Sequence, residues 1–396
     1  MRSLEAHLEL VRALVSPISS ETVPLAEALG RVAARDHGAA VPSPVFDNSA
    51  MDGYAVRAAD LVGAAADKPV RLIVTDTARA GHPATTPLVA GQAARIMTGA
   101  PVPEGADAVV AQEIVVADAG EAIFRASPSV GAHIRRQGED AEVGDLVIPA
   151  GRTVSARDVA AGAASGLDAL DVVRRPRVGF LVTGDELVAP GEALGPGRIH
   201  DSNGAFLHAA LTALGAEAIA LARVGDTPEA VWEALTSAPQ VDLLITTGGA
   251  SVGDSDPVKA ALAGAGVDFS TVAMQPGKPQ GVGRVGEVPV LCFPGNPVAV
   301  AVSTELFVVA ALSRMTGRPE PAWHPATAMT GWTCPRDREQ VMPIVFEDRE
   351  VRPATDGGSG SHLAARLGRS EGLARVASEV DEVRPGDTVL VRRYVA

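Results

Sequence analysis

Aromatic residues and positive charge are both in short supply in this chain. Phe, Trp and Tyr together make up 3% of its residues, and the formal net charge is −14. A nucleic-acid surface needs a basic stripe and aromatic stacking platforms, and an anionic membrane surface attracts clusters of Lys and Arg. The composition therefore argues against both nucleic acid and membranes as partners.

Cysteine is almost absent, with Cys292 and Cys334 the only two in the sequence. They give neither a disulfide framework nor the paired spacing of a metal-thiolate site. The N-terminus alternates charged and apolar residues, and it lacks the basic start and continuous apolar run of a signal peptide. No stretch is long enough to span a bilayer. We therefore expect a cytoplasmic protein.

Several catalytic signatures are also missing. The sequence contains no G-x-S-x-G, no Walker A motif and no Rossmann fingerprint, and its eight histidines do not fall into a metal-ligand spacing. Covalent nucleophilic catalysis therefore has no support.

Apolar runs that end in polar, glycine-containing loops recur in the middle of the chain. Such runs suit buried strands. Helix-like stretches lie between them, one capped by Thr227 before Pro228 and another by Ser202-Asn203 before Gly204, and this alternation predicts a parallel, doubly wound sheet. The loops would then meet at the carboxyl ends of the strands, where open α/β sheets bind ligands. The alternative is that they are ordinary turns. The runs are 178–182, 216–224, 241–245 and 288–293.

These loops are rich in carboxylates. Carboxylates gathered in a cleft are reasonable around a hard cation, and Mg²⁺ bridges a few of them to substrate phosphates. Glycine loops at helix N-termini favour anions, and Lys278 stands in the proline-stiffened Q-P-G-K-P loop. The pattern indicates a phosphorylated ligand handled with magnesium, although each carboxylate alone could be a helix cap or first-turn acid. The carboxylates of these loops are Asp185, Glu186, Asp226, Asp254 and Asp256.

The flanking regions have a different character. Helical patterns at 3–15, 25–34 and 156–170 surround a β-rich stretch with strands at 71–74, 93–97, 108–112 and 122–125. Ser155 is expected to cap the third helix, with Asp158 as its partner in a capping box. We infer a helical segment built from 1–40 and 141–176, with a β-rich module, 41–140, inserted between its halves. The α/β domain would cover 177–317, and short strands return in 318–396.

Eight motifs, in the same order along nearly the whole chain, resemble the molybdopterin molybdenumtransferases. These are the MoeA-type molybdenum insertases, related to the E domain of gephyrin. The motifs are D-N-S-A-M-D-G-Y-A (47–55), M-T-G-A-P-V-P-E-G-A-D-A-V-V (97–110), R-R-Q-G-E-D (135–140), T-G-D-E-L (183–187), D-S-N (201–203), T-T-G-G-A-S-V-G-D-S-D (246–256), P-G-K-P (276–279) and P-G-N-P (294–297).

The resemblance implies a multidomain fold of the α/β plus β class. Its parts would be a parallel α/β domain of molybdopterin-binding type, the inserted β-rich module, an extended helical dimerisation segment and a C-terminal β-barrel domain. It also implies insertion of molybdenum from molybdate into adenylylated molybdopterin, with Mg²⁺-dependent release of AMP. The expected assembly is a homodimer with its cleft between subunits, with transient contact to other molybdenum-cofactor biosynthesis proteins.

The resemblance also assigns roles to residues. Glu186, Asp226 and Asp256 would serve metal and phosphate chemistry, and Lys278 would hold an anion. Asp52, Thr98 and Asp140 would come from the β-rich module of the partner subunit. The expected catalytic residues are Asp52, Asp140, Glu186, Asp226, Asp256 and Lys278. The expected substrate-binding residues, from the resemblance and the loops together, are Thr98, Gly248, Gly249, Ser251, Gln275, Gly277, Pro294, Gly295, Asn296, Pro297 and Ser361.

Two departures from the family pattern stand out. Gln275 occupies the first lysine position of K-P-G-K-P, so Arg284 becomes a candidate for the missing charge; Pro257 stands where many relatives have tyrosine. Two other functions stay open. One is a molybdopterin adenylyltransferase, which shares the α/β fold, and the other is a non-catalytic scaffold related to gephyrin; fold alone cannot separate them.

Overall fold

The computed structural model describes residues 1–248, 256–355 and 364–395. Its chain forms two units. The first, here called the β-rich unit, comprises Thr22–Leu29 and Arg35–Asp171. The second, here called the α/β unit, comprises Met1–Glu21, Gly30–Ala34 and Val172–Ala396. The predicted module 41–140 thus lies within the β-rich unit.

A six-stranded sheet organises the β-rich unit. Neighbouring strands are antiparallel except for one parallel pair, Val70–Ala78 with Gln92–Ile96. Tyr54 packs edge to face on Phe124 in its core, with the ring centroids 6.0 Å apart. All four predicted strands are present, which confirms a β-rich module. The strand order across the sheet is Ala108–Ala111, Gly53–Val56, Gln92–Ile96, Val70–Ala78, Glu121–Phe124, Val115–Asp118.

Helices are fewer near this module than the sequence suggested. Ser155 begins Ala156–Ala164 with the predicted capping box, but the helix stops well before 170. The stretch 25–34 forms only one 3₁₀ turn, Leu25–Glu27, because Gly30 adopts a left-handed conformation with φ of 75°. In 1–40 and 141–176, all of which the structure describes, the only other α-helix is Leu4–Leu14. An extended helical segment is therefore not confirmed.

The α/β unit is built on a second six-stranded sheet. The first four strands in the order are parallel to one another. Each of the last two is antiparallel to the strand before it. The prediction of a wholly parallel sheet is wrong at this edge, because a tight turn at Gly286 joins two adjacent strands and leaves no room for a crossover. The order is Glu217–Ala220, Arg177–Val182, Leu243–Thr247, Val288–Phe293, Pro279–Val285, Asp268–Thr271.

Both faces of this sheet are covered. Phe180 belongs to a core that includes the helix Leu4–Leu14, whereas its neighbour Leu181 belongs to a separate core, as strand alternation requires. Thr227 caps its helix as predicted. The helix after the D-S-N motif is capped by Asp201 and not by Ser202. Besides Leu4–Leu14, the helices are Ser202–Ala213, Pro228–Thr236, Pro257–Leu262, Pro297–Ser303 and Val309–Thr316.

The last two of these helices are joined by a π-helical turn, Thr304–Val308, into one helix of 20 residues, Pro297–Thr316. By length and composition it could cross a membrane, so the expectation that no stretch is long enough is wrong. However, 94% of its apolar window is buried inside the protein. Such burial is typical of a core helix.

The C-terminal part of the α/β unit is a closed barrel. Glu339–Glu347 pairs with both Glu350–Pro353 and Gly372–Val376, which closes a ring of five strands. Closure removes the free sheet edges along the paired residues of the ring, and the predicted β-barrel is confirmed. A short additional strand, Met274–Gln275, adds to the barrel from outside. The remaining two barrel strands are His324–Ala328 and Thr388–Arg393.

Candidate functional site

A cavity of about 380 Å³ lies at the carboxyl ends of the parallel strands in the α/β unit. Strands Arg177–Val182, Leu243–Thr247 and Val288–Phe293 each run directly into its walls, as the sheet topology predicts. Its lining is Thr183, Gly184, Glu186, Leu187, Ile199, His200, Asp201, Ser202, Asn203, Asp226, Gly248, Pro257, Pro279, Pro294, Gly295 and Pro297.

The structure brings part of the predicted site together here. Six predicted residues line the cavity directly, and three others among the described residues are chain neighbours of lining residues. Asp256 precedes Pro257, Lys278 precedes Pro279, and Asn296 lies between Gly295 and Pro297. The six are Glu186, Asp226, Gly248, Pro294, Gly295 and Pro297.

Two glycines let the loops approach closely. Gly248 has φ of 85°, and a Cβ added there would lie 2.5 Å from the carbonyl oxygen of Thr183. A Cβ on Gly295 would lie 3.2 Å from the Cα of Gly248. A side chain at Gly248 would therefore force two walls of the cavity apart.

The two loops that carry the exposed carboxylates are tied to each other. The backbone N–H of Asp185 donates to Asp226 Oδ2 at 3.2 Å, and the backbone N–H of Asp226 donates to Asp185 Oδ1 at 3.4 Å. Glu186 is exposed next to this pair and lines the same cavity. The arrangement places two solvent-accessible carboxylates, Glu186 and Asp226, on the cavity wall.

Asp256 has a different environment. It is 6% exposed, and its Oδ1 accepts a hydrogen bond from the backbone N–H of Lys259 at 3.2 Å, which caps the helix Pro257–Leu262. This is the helix-cap role that the sequence left as its alternative. Within the described ranges, no group of three or more His, Cys, Asp and Glu side chains could hold a metal ion. The three-carboxylate metal site therefore stays a prediction.

The loop after Gln275 presents a cation. Gln280 Nε2 donates to the carbonyl oxygen of Gly277 at 2.7 Å and to Ser303 Oγ at 2.9 Å, which anchors the loop to the core helix. Lys278 is exposed. Its ammonium has no carboxylate partner among the ion pairs found in the described part of the chain. Lys278 is thus available to an anion.

Arg284 does not replace the lysine missing at Gln275. Its guanidinium donates to the carbonyl oxygens of Glu287 and Leu14, at 2.6 and 2.5 Å. It lies on the strand Pro279–Val285 beyond the loop, and these bonds hold it there. The hypothesis that Arg284 supplies the charge is wrong.

Asn296 also has a structural task. Its side-chain oxygen accepts hydrogen bonds from the backbone N–H groups of Val298 and Ala299, at 3.0 and 3.2 Å. These bonds cap the core helix, with Pro297 in its first turn. Contact of Asn296 with substrate stays a prediction.

In the β-rich unit, the structure joins two predicted residues. Asp52 Oδ1 accepts hydrogen bonds from the backbone N–H and the hydroxyl of Thr98, both at 2.8 Å. The bond from the Thr98 backbone is the largest cause that lowers the pKa of Asp52, followed by the bond from the Thr98 hydroxyl, so this exposed carboxylate stays charged. Asp140 contacts neither of them in this network. It accepts from the hydroxyl of Ser43 at 3.4 Å.

Four residues that the sequence singled out lie outside the described residues: Gly249, Ser251, Asp254 and Ser361. Conversely, most of the lining residues were not among the predicted site residues, and Thr183 and Asn203 are two of these. Asn203 Nδ2 donates to the carbonyl oxygen of Gly295 at 2.8 Å and to Thr247 Oγ1 at 3.3 Å. The D-S-N motif was a signal for Asn203, but its partners are remote in the sequence.

Comparison with known proteins identifies the family. Residues 2–166 match the model "MoeA N-terminal region (domain I and II)", and residues 179–314 match "Probable molybdopterin binding domain". The molybdopterin molybdenumtransferase 2 of Mycobacterium tuberculosis is 39% identical over 99% of both chains. The chain belongs to the molybdopterin molybdenumtransferase family.

Other members of the family match over the same length. The molybdopterin molybdenumtransferase of Haemophilus influenzae is 32% identical over 98% of both chains. The crystal structure of the molybdopterin biosynthesis moeA protein from Pyrococcus horikosii has a TM-score of 0.85 and 32% identity, and covers 99% of this chain and 98% of its own. The likeness therefore includes the flanking modules as well as the α/β domain.

Proposed function

We propose that this member of the family inserts molybdenum from molybdate into adenylylated molybdopterin, with Mg²⁺-dependent release of AMP. The observation that carries the proposal is the cavity at the carboxyl ends of the parallel strands. Its lining includes the exposed carboxylates of Glu186 and Asp226, and the exposed Lys278 directly precedes the lining residue Pro279. One cleft thus offers ligands for a hard cation and a charge that attracts an anion.

The donor set fits magnesium. Mg²⁺ keeps several water ligands and takes one or two carboxylates together with substrate phosphates, so Glu186 and Asp226 suffice as the protein's share. Asp226 is held in place by the backbone N–H of Asp185 at 3.2 Å. When bound, Mg²⁺ supplies positive charge that offsets the charge of the phosphate oxygens as the phosphoanhydride breaks. Asp256, which caps a helix next to the cavity, would orient this loop.

Lys278 would hold an oxyanion, either molybdate or a phosphate of the substrate. Its loop is stiffened by flanking prolines and by the hydrogen bonds of Gln280. The prolines Pro294 and Pro297 and the glycine Gly295 line the same cavity. These residues would exclude water from the ligand and allow its close approach to the backbone.

The proposal includes a homodimer in which the β-rich unit of one subunit completes the cleft of the other. The Asp52–Thr98 pair supports this, because an exposed, charged carboxylate fixed by two hydrogen bonds is suited to act on a ligand. Asp140 would contribute from the same unit. Transient contact with other molybdenum-cofactor biosynthesis proteins would deliver the substrate. Sedimentation of the purified protein as a monomer at micromolar concentration would contradict the dimer.

The two alternatives are an adenylyltransferase and a non-catalytic scaffold. Full-length likeness to relatives named molybdopterin molybdenumtransferase favours the insertase over both. The decisive experiment incubates purified protein with adenylylated molybdopterin, Mg²⁺ and molybdate. AMP release with formation of active cofactor supports the insertase. Formation of adenylylated molybdopterin from ATP and molybdopterin would support the adenylyltransferase, and the absence of both reactions would leave the scaffold.

A further inference from the structure

Two side-chain oxygens in the cavity wall are buried without hydrogen-bond partners. Thr183 Oγ1 and Asn203 Oδ1 are closed to solvent and make no hydrogen bond within residues 1–248, 256–355 and 364–395. The two residues are 4% and 7% exposed, and both line the cavity. An unmade bond of this kind costs about 1–3 kcal/mol. Two such groups in one cavity wall indicate a functional reason for the cost.

The orientation of the Asn203 amide is fixed by its neighbours. Nδ2 donates to the carbonyl oxygen of Gly295 at 2.8 Å and to Thr247 Oγ1 at 3.3 Å. A flipped amide would set its oxygen against the carbonyl oxygen of Gly295, and two acceptors at that distance repel each other. Oδ1 is therefore an acceptor in the wall, with no donor of its own.

Thr183 lies beside the same strand end. Its backbone N–H donates to the carbonyl oxygen of Thr247 at 3.1 Å, so Thr183 and Asn203 both contact Thr247. A Cβ added to Gly248 would lie 2.9 Å from Thr183 Oγ1, which shows that the glycine leaves space for the hydroxyl. A hydroxyl can both donate and accept. The pair thus combines a fixed acceptor with an adaptable hydroxyl.

We propose that Thr183 and Asn203 form a subsite that receives an N–H or O–H donor of the ligand, and that the ligand's phosphate and oxyanion groups bind away from it. The inference rests on the proposed function. Deprotonated phosphate and molybdate oxygens carry no donor, and Asn203 Oδ1 repels them. The donor belongs to the amino-substituted heteroaromatic part of the substrate, which occurs at its pterin end and at its adenosine end. The wall moves slightly to admit the donor, because both oxygens are closed to solvent.

The test uses Thr183→Val, which removes the hydroxyl and keeps the shape of the side chain. Thr183→Ser restores the hydroxyl. The matched control is Thr246→Val, a buried threonine on the neighbouring strand that does not line the cavity. The probes are AMP and 6-hydroxymethylpterin, with inorganic phosphate as the donor-poor comparison. Binding to the purified full-length protein is measured by calorimetry, and the melting temperature of each variant is recorded.

We expect Thr183→Val to weaken the binding of one probe about tenfold. The melting temperature should not fall, because the hydroxyl that is removed is buried and makes no hydrogen bond in the unliganded protein. Thr183→Ser should bind as the wild type does, and Thr246→Val should change neither probe. Weaker binding of AMP would place the adenosine end of the substrate at the subsite. Weaker binding of 6-hydroxymethylpterin would place the pterin end at the subsite. Phosphate binding should be unchanged.

Three results would overturn the subsite: unchanged binding of both probes by Thr183→Val, an equal loss of phosphate binding, or no binding of either probe to the wild-type protein. The outcome is separate from that of the proposed function. A wild-type protein that binds a probe through Thr183 but releases no AMP from adenylylated molybdopterin would contradict the function and keep the subsite. Full turnover by the wild-type protein, together with unchanged probe binding by Thr183→Val, would support the function and contradict the subsite.

Discussion

Asp185 and Asp226 each accept a hydrogen bond from the other's backbone N–H, at 3.4 and 3.2 Å. The exchange joins the loop after the strand Arg177–Val182 to the loop before the helix Pro228–Thr236. The carboxylate of Asp226 is therefore held at the cavity wall by local geometry and would not need a bound ligand to position it.

The first prediction concerns the charge of Asp226. Asp226→Asn keeps an oxygen that can accept from the Asp185 backbone, so the loop and the fold should be retained. AMP release should nevertheless fall by roughly two orders of magnitude, because the amide offers no charge to Mg²⁺. Release of AMP is measured over a range of Mg²⁺ concentrations.

The matched control for Asp226 is Glu229→Gln. Glu229 is an exposed acid in the first turn of the adjacent helix and does not line the cavity. Its neutralisation should leave turnover within about twofold of the wild type, since such an acid contributes only a fraction of a kcal/mol to its helix. An equal loss of AMP release in both variants would show that the activity depends on the negative charge of this region and not on a metal ligand at Asp226.

The second prediction tests the shared cleft. Asp52→Ala removes the acceptor of both Thr98 hydrogen bonds, and Asp226→Ala removes a carboxylate of the cavity. Each variant alone should be nearly inactive. If Asp52 acts across the dimer, subunit exchange between the two should restore one intact site in each mixed dimer, or about a quarter of wild-type activity when mixing is complete. Exchange that is demonstrated by tagged subunits but restores nothing would assign both residues to one chain.

The third prediction concerns Gln275. Gln275→Lys places a second positive charge beside Lys278, and charge-assisted hydrogen bonds are roughly twice as strong as neutral ones. Molybdate should reach half-maximal insertion at a several-fold lower concentration, with a steeper dependence on salt. Gln275→Leu serves as the control, because it removes the amide and adds no charge, and it should not improve binding. A titration with Gln275→Lys that matches the wild type would exclude residue 275 from the oxyanion site.

The fourth prediction concerns the pH dependence of stability. His7 is 1% exposed, its ring packs on Phe307, and Arg2 donates to its Nδ1 at 3.3 Å. Burial, with a smaller contribution from Arg2, lowers the pKa of His7 to about 4. The unfolded chain binds a proton near the ordinary value of 6.5. The stability that depends on neutral His7 is thus complete above about pH 6.5 and is lost as the pH falls to about 4.

The measurement compares the free energy of unfolding in urea for the wild type and for His7→Gln between pH 7 and pH 4. Titrating carboxylates affect both proteins alike, so the difference isolates His7. The wild type should lose about 2–3 kcal/mol more than the variant over this interval. Parallel curves for the two proteins would mean that the pKa of His7 is the same in the folded and the unfolded state, and would contradict the prediction.

Local patterns in the sequence predicted those features whose causes are local. The cap by Thr227 and the capping box at Ser155 depend on residues within one helical turn, and the strand ends follow from short apolar runs. The failed helix at 25–34 shows the limit, because the left-handed conformation at Gly30 overrides a helical pattern of apolar residues.

The candidate site was predictable only as far as its loops. The topology rule brought Glu186, Asp226, Gly248 and Pro294 to one edge of the sheet, as the structure shows. The role of Asn203 could not be read from the sequence, since its hydrogen bonds to Thr247 and Gly295 span 44 and 92 positions. The hydrogen bond from Arg284 to the carbonyl oxygen of Leu14 could not be predicted either, because Leu14 lies 270 positions away.

The short strand Met274–Gln275 has a consequence for how this family diverges. Gln275 is held in place by its backbone, which pairs with Gln340 at the rim of the barrel, and not by its side chain. A mutation at this position can therefore exchange lysine for glutamine without changing the path of the loop. Under the proposed function, one substitution at residue 275 would change the charge offered to the oxyanion while the backbone around the cavity stays the same.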